Sequence, residues 1–126
     1  MAHRMETATV SINGRPVTVE WTHAAALALA KRGTPLIVEL ELYFSCLVKK
    51  FVHFHNEAPN RDTVAPHKNL RLYFRAVTST ACSLEKAESL GRQPEVELDT
   101  DAVRKMAPKK VTIDHARGQW LGSYYL

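Results

Sequence analysis

The sequence predicts an α+β fold: a mostly antiparallel sheet built from hairpins, one long bent strand, and two to three short helices packed on one face. Three observations carry that reading. From Leu36 to His55 apolar and polar side chains alternate over twenty positions, the period of β structure with one face buried and one wet. Asn13-Gly14 stands between two further alternating runs, and Asn-Gly is the preferred pair for a two-residue type I′ turn. Helix-forming segments follow strands but never recur as a β-α-β series.

Each element follows from its residues. Val10–Ile12 and Arg15–Trp21 flank the Asn-Gly turn. That turn sets Ile12 opposite Arg15, Ser11 opposite Pro16, Val10 opposite Val17 and Ala8 opposite Val19. Pro16 cannot complete a second ladder, so its free side is expected at an edge. Thr22 is an N-cap for an alanine- and leucine-rich helix running to Arg32, with Gly33 as the C′ residue and Pro35 beyond. The long strand comes next. Run straight, it would span roughly 65 Å, against a radius of gyration near 14 Å for a chain of this length. It must bend, break or project. Ser45–Lys50 is the expected place, because Leu47 and Phe51 make its wet side apolar and Lys50 makes its dry side charged.

A loop is expected from Asn56 to Lys68. Asn69–Val77 alternates again, and the simplest topology pairs it antiparallel with the end of the long strand. A symmetric loop would then bring Arg71 near His53, Tyr73 near Phe51 and Arg75 near Lys49. Ser79–Leu90 reads as a helix ended by Gly91, and Glu95–Asp99 as a short strand. Thr100-Asp101 opens a second short helix that stops at Pro108. Lys110–His115 and Gln119–Leu126 form a terminal hairpin around a turn at Ala116-Arg117-Gly118.

The 126 residues make one domain, 1–126, long enough to bury a core. No stretch is apolar enough to span a bilayer: Leu36–Phe54 has the length but carries Glu39, Glu41, Lys49 and Lys50. No apolar core of a secretory signal is present at the N-terminus. Met5 is a second start position, so His3 carries no weight. Cys46 and Cys82 are far apart, out of metal spacing, and read as buried reduced thiols. Together these place the protein in the cytoplasm.

The formal charge is +4, and its placement is uneven. Lys49, Lys50, Arg61, Lys68, Arg71 and Arg75 face only Glu57 and Asp62 between positions 49 and 75, so this one segment holds the whole excess. It also holds His53, His55 and His67. Alternation puts Lys49, Phe51, His53 and His55 on one face. If the pairing holds, Arg71, Tyr73 and Arg75 join them. Bases attract phosphate and rings stack on bases. The expected function is therefore a small soluble binding module for an anionic ligand, a phosphate-bearing molecule or nucleic acid. Its ligand-binding residues are Lys49, His53, His55, Arg71, Tyr73 and Arg75.

Two rival readings come from other classes. His53 and His55 at i and i+2 on a strand lie close enough to share a divalent metal, with His67 or Asp114-His115 as a third ligand; a metal-dependent or histidine-based enzyme would use that pair. Glu39 and Glu41 share a face with them but lie far off along the strand. No nucleotide-loop, nucleophile-elbow or zinc-helix motif is present, so no cofactor beyond such a metal is predicted. Alternatively, the aromatic C-terminus, with Trp120, Leu121, Tyr124, Tyr125 and Leu126, closes the core or forms the seam of a homodimer.

Overall fold

The computed structural model describes residues 5–44, 47–79 and 95–126. Asn13 and Gly14 both take positive φ, 53° and 77°, as a type I′ turn requires. The turn joins β1 (Met5–Ile12) to β2 (Arg15–Thr22) in the register the sequence predicts, from Ile12 opposite Arg15 to Ala8 opposite Val19. Pro16 lies outside the second ladder of β2, which begins at Thr18. The Thr22 hydroxyl then caps α1 (His23–Ala30), accepting from the Ala25 N–H at 3.1 Å. Ala25 and Leu29, one turn apart, are its buried residues. The helix ends differently from expectation. Gly33 does not adopt the left-handed conformation; the Asn69 side-chain amide donates to the Leu29 and Arg32 carbonyls instead, at 2.8 and 3.3 Å.

The long run breaks where expected. It forms β3 (Leu36–Phe44) and β4 (Val48–His55), folded antiparallel with Phe44 opposite Val48 and Ile37 opposite His55. Next come β5 (Val64–His67), inside the expected loop, and β6 (Leu70–Ser79). The chain continues through β7 (Glu95–Leu98), α2 (Asp101–Arg104), β8 (Lys110–Ala116) and β9 (Gln119–Tyr125). Thr100 caps α2 by accepting from the Val103 N–H at 3.2 Å. Arg117 and Gly118, φ 54° and 74°, make a second type I′ turn between β8 and β9. The expected Ser79–Leu90 helix falls outside the described residues except for Ser79, which ends β6. Cys46 and Cys82 fall outside them as well.

The strands form two mixed sheets, β1-β2-β8-β9 and β4-β3-β6-β5, with β7 also on β6. This corrects the expectation of a mostly antiparallel sheet. Each sheet holds a parallel pair at its centre, β2 with β8 and β3 with β6, flanked by antiparallel neighbours. The hairpins were visible locally, but their docking edge to edge depends on partners far off in sequence. It also corrects the pairing of β6, which lies beside β3 rather than β4, with Leu36 opposite Leu70.

The inner faces of both sheets share one hydrophobic core. Val17, Val19, Val38, Leu40, Leu70, Leu72, Val111 and Ile113 are its strand residues, and α1 adds Ala25 and Leu29. α1 packs its Ala25 and Leu29 side onto this core and leaves Leu27 exposed. No helix among the described residues is long and apolar enough to cross a membrane.

Candidate functional site on the outer face of the second sheet

Strand alternation brings the charged residues of β4, β3 and β6 to one face. The paired registers lay them out in rows across three strands: His55, Ile37 and Arg71; His53, Glu39 and Tyr73; Phe51, Glu41 and Arg75; Lys49, Tyr43 and Val77. All six sequence-predicted binding residues therefore share this face. They are not neighbours in the expected way, because β3 lies between β4 and β6 and keeps those strands about 10 Å apart.

The centre of the face is acidic. Glu39 and Glu41 are buried, at 7% and 8% exposure, although alternation places them on the wet side. Side chains from the flanking strands fold over them. The Arg75 guanidinium donates to Glu39 at 3.0 Å and to Glu41 at 3.4 Å. The Tyr73 hydroxyl donates to Glu39 Oε1 at 2.9 Å. His55 Nε2 lies 2.9 Å from the same oxygen, and His53 Nε2 lies 3.4 Å from Glu41 Oε1. Each imidazole leans one row along its strand to reach a carboxylate. Arg75 also contacts Glu97 at 3.3 Å, and Arg61 contacts Glu97 at 2.6 Å while lying over the Tyr73 ring.

These contacts set the protonation of the face. Burial works against a charged Glu39, but donors from Arg75, His55 and Tyr73, with the Arg75 charge, outweigh it and hold its pKa at about 2. Burial, then the hydrogen bond to Glu39, pushes the Tyr73 phenol up to about 12. Arg75 is desolvated too, yet its carboxylate partners raise it further. The network is a fixed anion with fixed donors, and Tyr73 remains a donor at neutral pH.

Beside the network a pocket of about 300 Å³ is lined by Glu41, Tyr43, Lys49, Phe51 and His53. Phe51 stacks on His53 at 6.0 Å and meets Tyr43 edge-on at 6.4 Å. Lys49 is exposed at the rim. Arg71 lies farther along, donating to the Thr63 hydroxyl at 3.2 Å.

Glu39, Glu41 and His53 bring ligand atoms within 4.8 Å of one another. Arg75 already provides a positive charge at the two carboxylates, which opposes a second cation there. His53 and His55 turn their Nε2 atoms to different glutamates. His67 is held elsewhere, accepting from the Asn69 N–H at 3.1 Å and edge-on to Trp21. Asp114 accepts from Thr22 in the other sheet at 2.6 Å, and the His115 ring packs on Trp120.

Sequence reasoning missed the roles of Glu39, Glu41, Glu97 and Arg61. The signal for the first two was present: once the long run breaks near Ser45, residues of equal parity on its two halves become cross-strand neighbours. No known protein family, no curated protein and no solved structure matches this chain.

Proposed function

We propose that this protein is a small binding module whose outer sheet face takes a phosphate-bearing molecule that also carries a planar ring. The pocket between Tyr43, Lys49, Phe51 and His53 is the observation that supports it most directly. Phe51 and Tyr43 offer ring surface, and stacking on an aromatic side chain contributes about 1–3 kcal/mol per base. Lys49 supplies a charge for phosphate at the rim. Glu41 also lines the pocket, and Arg75 offsets its charge. An extended nucleic acid fits less well. Arg61, Arg71 and Arg75 are held by Glu97, Thr63 and the glutamate pair rather than arrayed along a backbone track.

Titration with nucleoside monophosphates and with inorganic phosphate, followed by calorimetry, tests this reading. Nucleotides should bind more tightly than phosphate. Phe51→Ala should weaken the nucleotide roughly tenfold or more, and Lys49→Ala should flatten the salt dependence. Absence of binding at millimolar nucleotide removes the reading.

The Glu41–His53 pair supports a second one. An imidazole oriented by a carboxylate and facing a pocket is the arrangement of a general base. In that case His53→Gln would abolish turnover while leaving ligand affinity nearly intact. Metal found by elemental analysis and lost in His53→Ala would point to the metal-dependent form. Homodimer formation through the exposed C-terminal side chains of Leu121, Tyr125 and Leu126 predicts a dimer mass by light scattering at micromolar concentration; a monomer there ends it.

A further inference from the structure

Strand β6 loses its outer neighbour in mid-course. β5 pairs with it at Leu70 and Leu72, through His67 and Val64. β7 pairs with it from Ala76 to Ser79. Continued at the same spacing, β5 would set Asp62 opposite Phe74, but β5 begins only at Val64. Continued likewise, β7 would set Thr100 there, but Thr100 is the N-cap of α2.

One bond fixes where the Phe74 backbone points. The Leu36 N–H donates to the Asn69 carbonyl at 2.8 Å, so the Asn69 carbonyl faces β3. Successive strand residues direct their N–H and C=O to opposite edges. The odd residues of β6 therefore serve β3 and the even ones serve the outer edge. Leu72 and Ala76 meet Val64 and Leu98 there. Among the described residues no strand pairs with Phe74 on that side. Phe74 itself lines a pocket of about 300 Å³ whose walls include Ser11, Asn13, Asp62 and Thr63. A smaller hollow of about 90 Å³, with Asn13 and Glu97 in its lining, continues on the other side of Phe74.

We propose that this interruption is a binding site for one residue of an extended peptide. A missing rung in an antiparallel ladder has a defined complement: an extended residue whose N–H donates to the Phe74 carbonyl and whose C=O accepts from the Phe74 N–H. The rungs on either side set its direction, antiparallel to β6. From Leu72 to Ala76 the strand covers about 13 Å, so the bound segment is short and its ends leave the sheet plane. The Arg61–Glu97 ion pair joins the two segments that border the gap, and Arg61 lies over Tyr73 on the outer face. The peptide therefore enters from the Asn13 side. This site shares no lining residue with the pocket around Phe51.

Amide exchange measured by NMR on the full chain tests the proposal. In the free protein the Phe74 amide should exchange at least about tenfold faster than those of Leu72 and Ala76. The uncharged peptide acetyl-Ala-Ala-Ala-N-methylamide, at millimolar concentration, should slow it. The same addition should shift the Thr63 and Asn13 amides and leave Phe51 and His53 unmoved. Thr63→Trp, which fills the groove, should abolish the response while Leu72 and Ala76 stay protected. A Phe74 amide already protected in the free protein overturns the proposal, as does one unaffected by the peptide or a response that persists in Thr63→Trp.

Discussion

Glu39 accepts from a guanidinium, a phenol and an imidazole at once, and this couples the charge of its carboxylate to the stability of the fold. Its folded pKa of about 2 lies below the ordinary value of 4.5. The stability it contributes is therefore complete above about pH 4.5 and is lost as pH falls toward 2, up to about 3 kcal/mol in all. Arg75→Met should remove most of this. The variant leaves Glu39 and Glu41 buried without their guanidinium and should lose roughly 3 kcal/mol at neutral pH. Its deficit against the parent should shrink as pH drops, because its Glu39 takes up a proton more readily. Urea denaturation at a series of pH values between neutral and acid measures both effects; a deficit independent of pH would separate Arg75 from Glu39. The histidines and bases of this cluster were readable from charge and parity. Glu39 and Glu41 lie far from the histidines along the chain, and only the folding of β3 onto β4 makes them cross-strand neighbours.

Elements governed by local chemistry formed as the sequence indicates. Asn13-Gly14 and Arg117-Gly118 reach positive φ, and Thr22 and Thr100 cap the helices that follow them. Thr22 does more than cap, since its hydroxyl also donates to Asp114 at 2.6 Å and so ties α1 to β8. Thr22→Ala should cost about 1–2 kcal/mol in thermal or denaturant unfolding. Thr22→Ser should recover most of that loss, whereas equal losses in the two variants would assign the effect to the methyl group. β5 was not legible, for a physical reason. Its sequence Val-Ala-Pro-His includes a proline, and the register shifts between Val64 and His67. A bulge tolerates a proline that a regular ladder would reject.

At the scale of the molecule, the two sheets meet along a seam between β4 and β9. Phe54 stacks on Trp120 at 6.3 Å, and the Lys50 ammonium donates to the Tyr124 carbonyl at 3.1 Å. That contact explains the one charged residue on the buried parity of β4. Gly122 allows the approach: a Cβ there would lie 2.9 Å from Val52 Cγ1 and 3.0 Å from Phe54 Cζ. Val52 is β-branched and cannot swing aside freely. Gly122→Ala should therefore destabilise the fold by about 1–3 kcal/mol through overpacking. Gly122→Ala with Val52→Ala should recover part of it, and a fully additive double variant would show that the seam is not the cause. The Tyr124 hydroxyl donates to the Glu41 carbonyl across the same junction, which links the packing of β9 to the strand that carries the site.

The sequence by itself determined the two hairpin turns, the N-caps of the helices, the break in the long strand and the face on which each strand residue lies. All of these depend on interactions over a few residues or on the period of two. Only the tertiary structure decided which strands are neighbours. A strand edge offers the same N–H and C=O groups to any partner, so alternation names a face but no neighbour. Packing of the inner faces selected the parallel pairs β2 with β8 and β3 with β6. That choice set Glu39 and Glu41 between the histidines and Arg75, and it left Phe74 facing a gap.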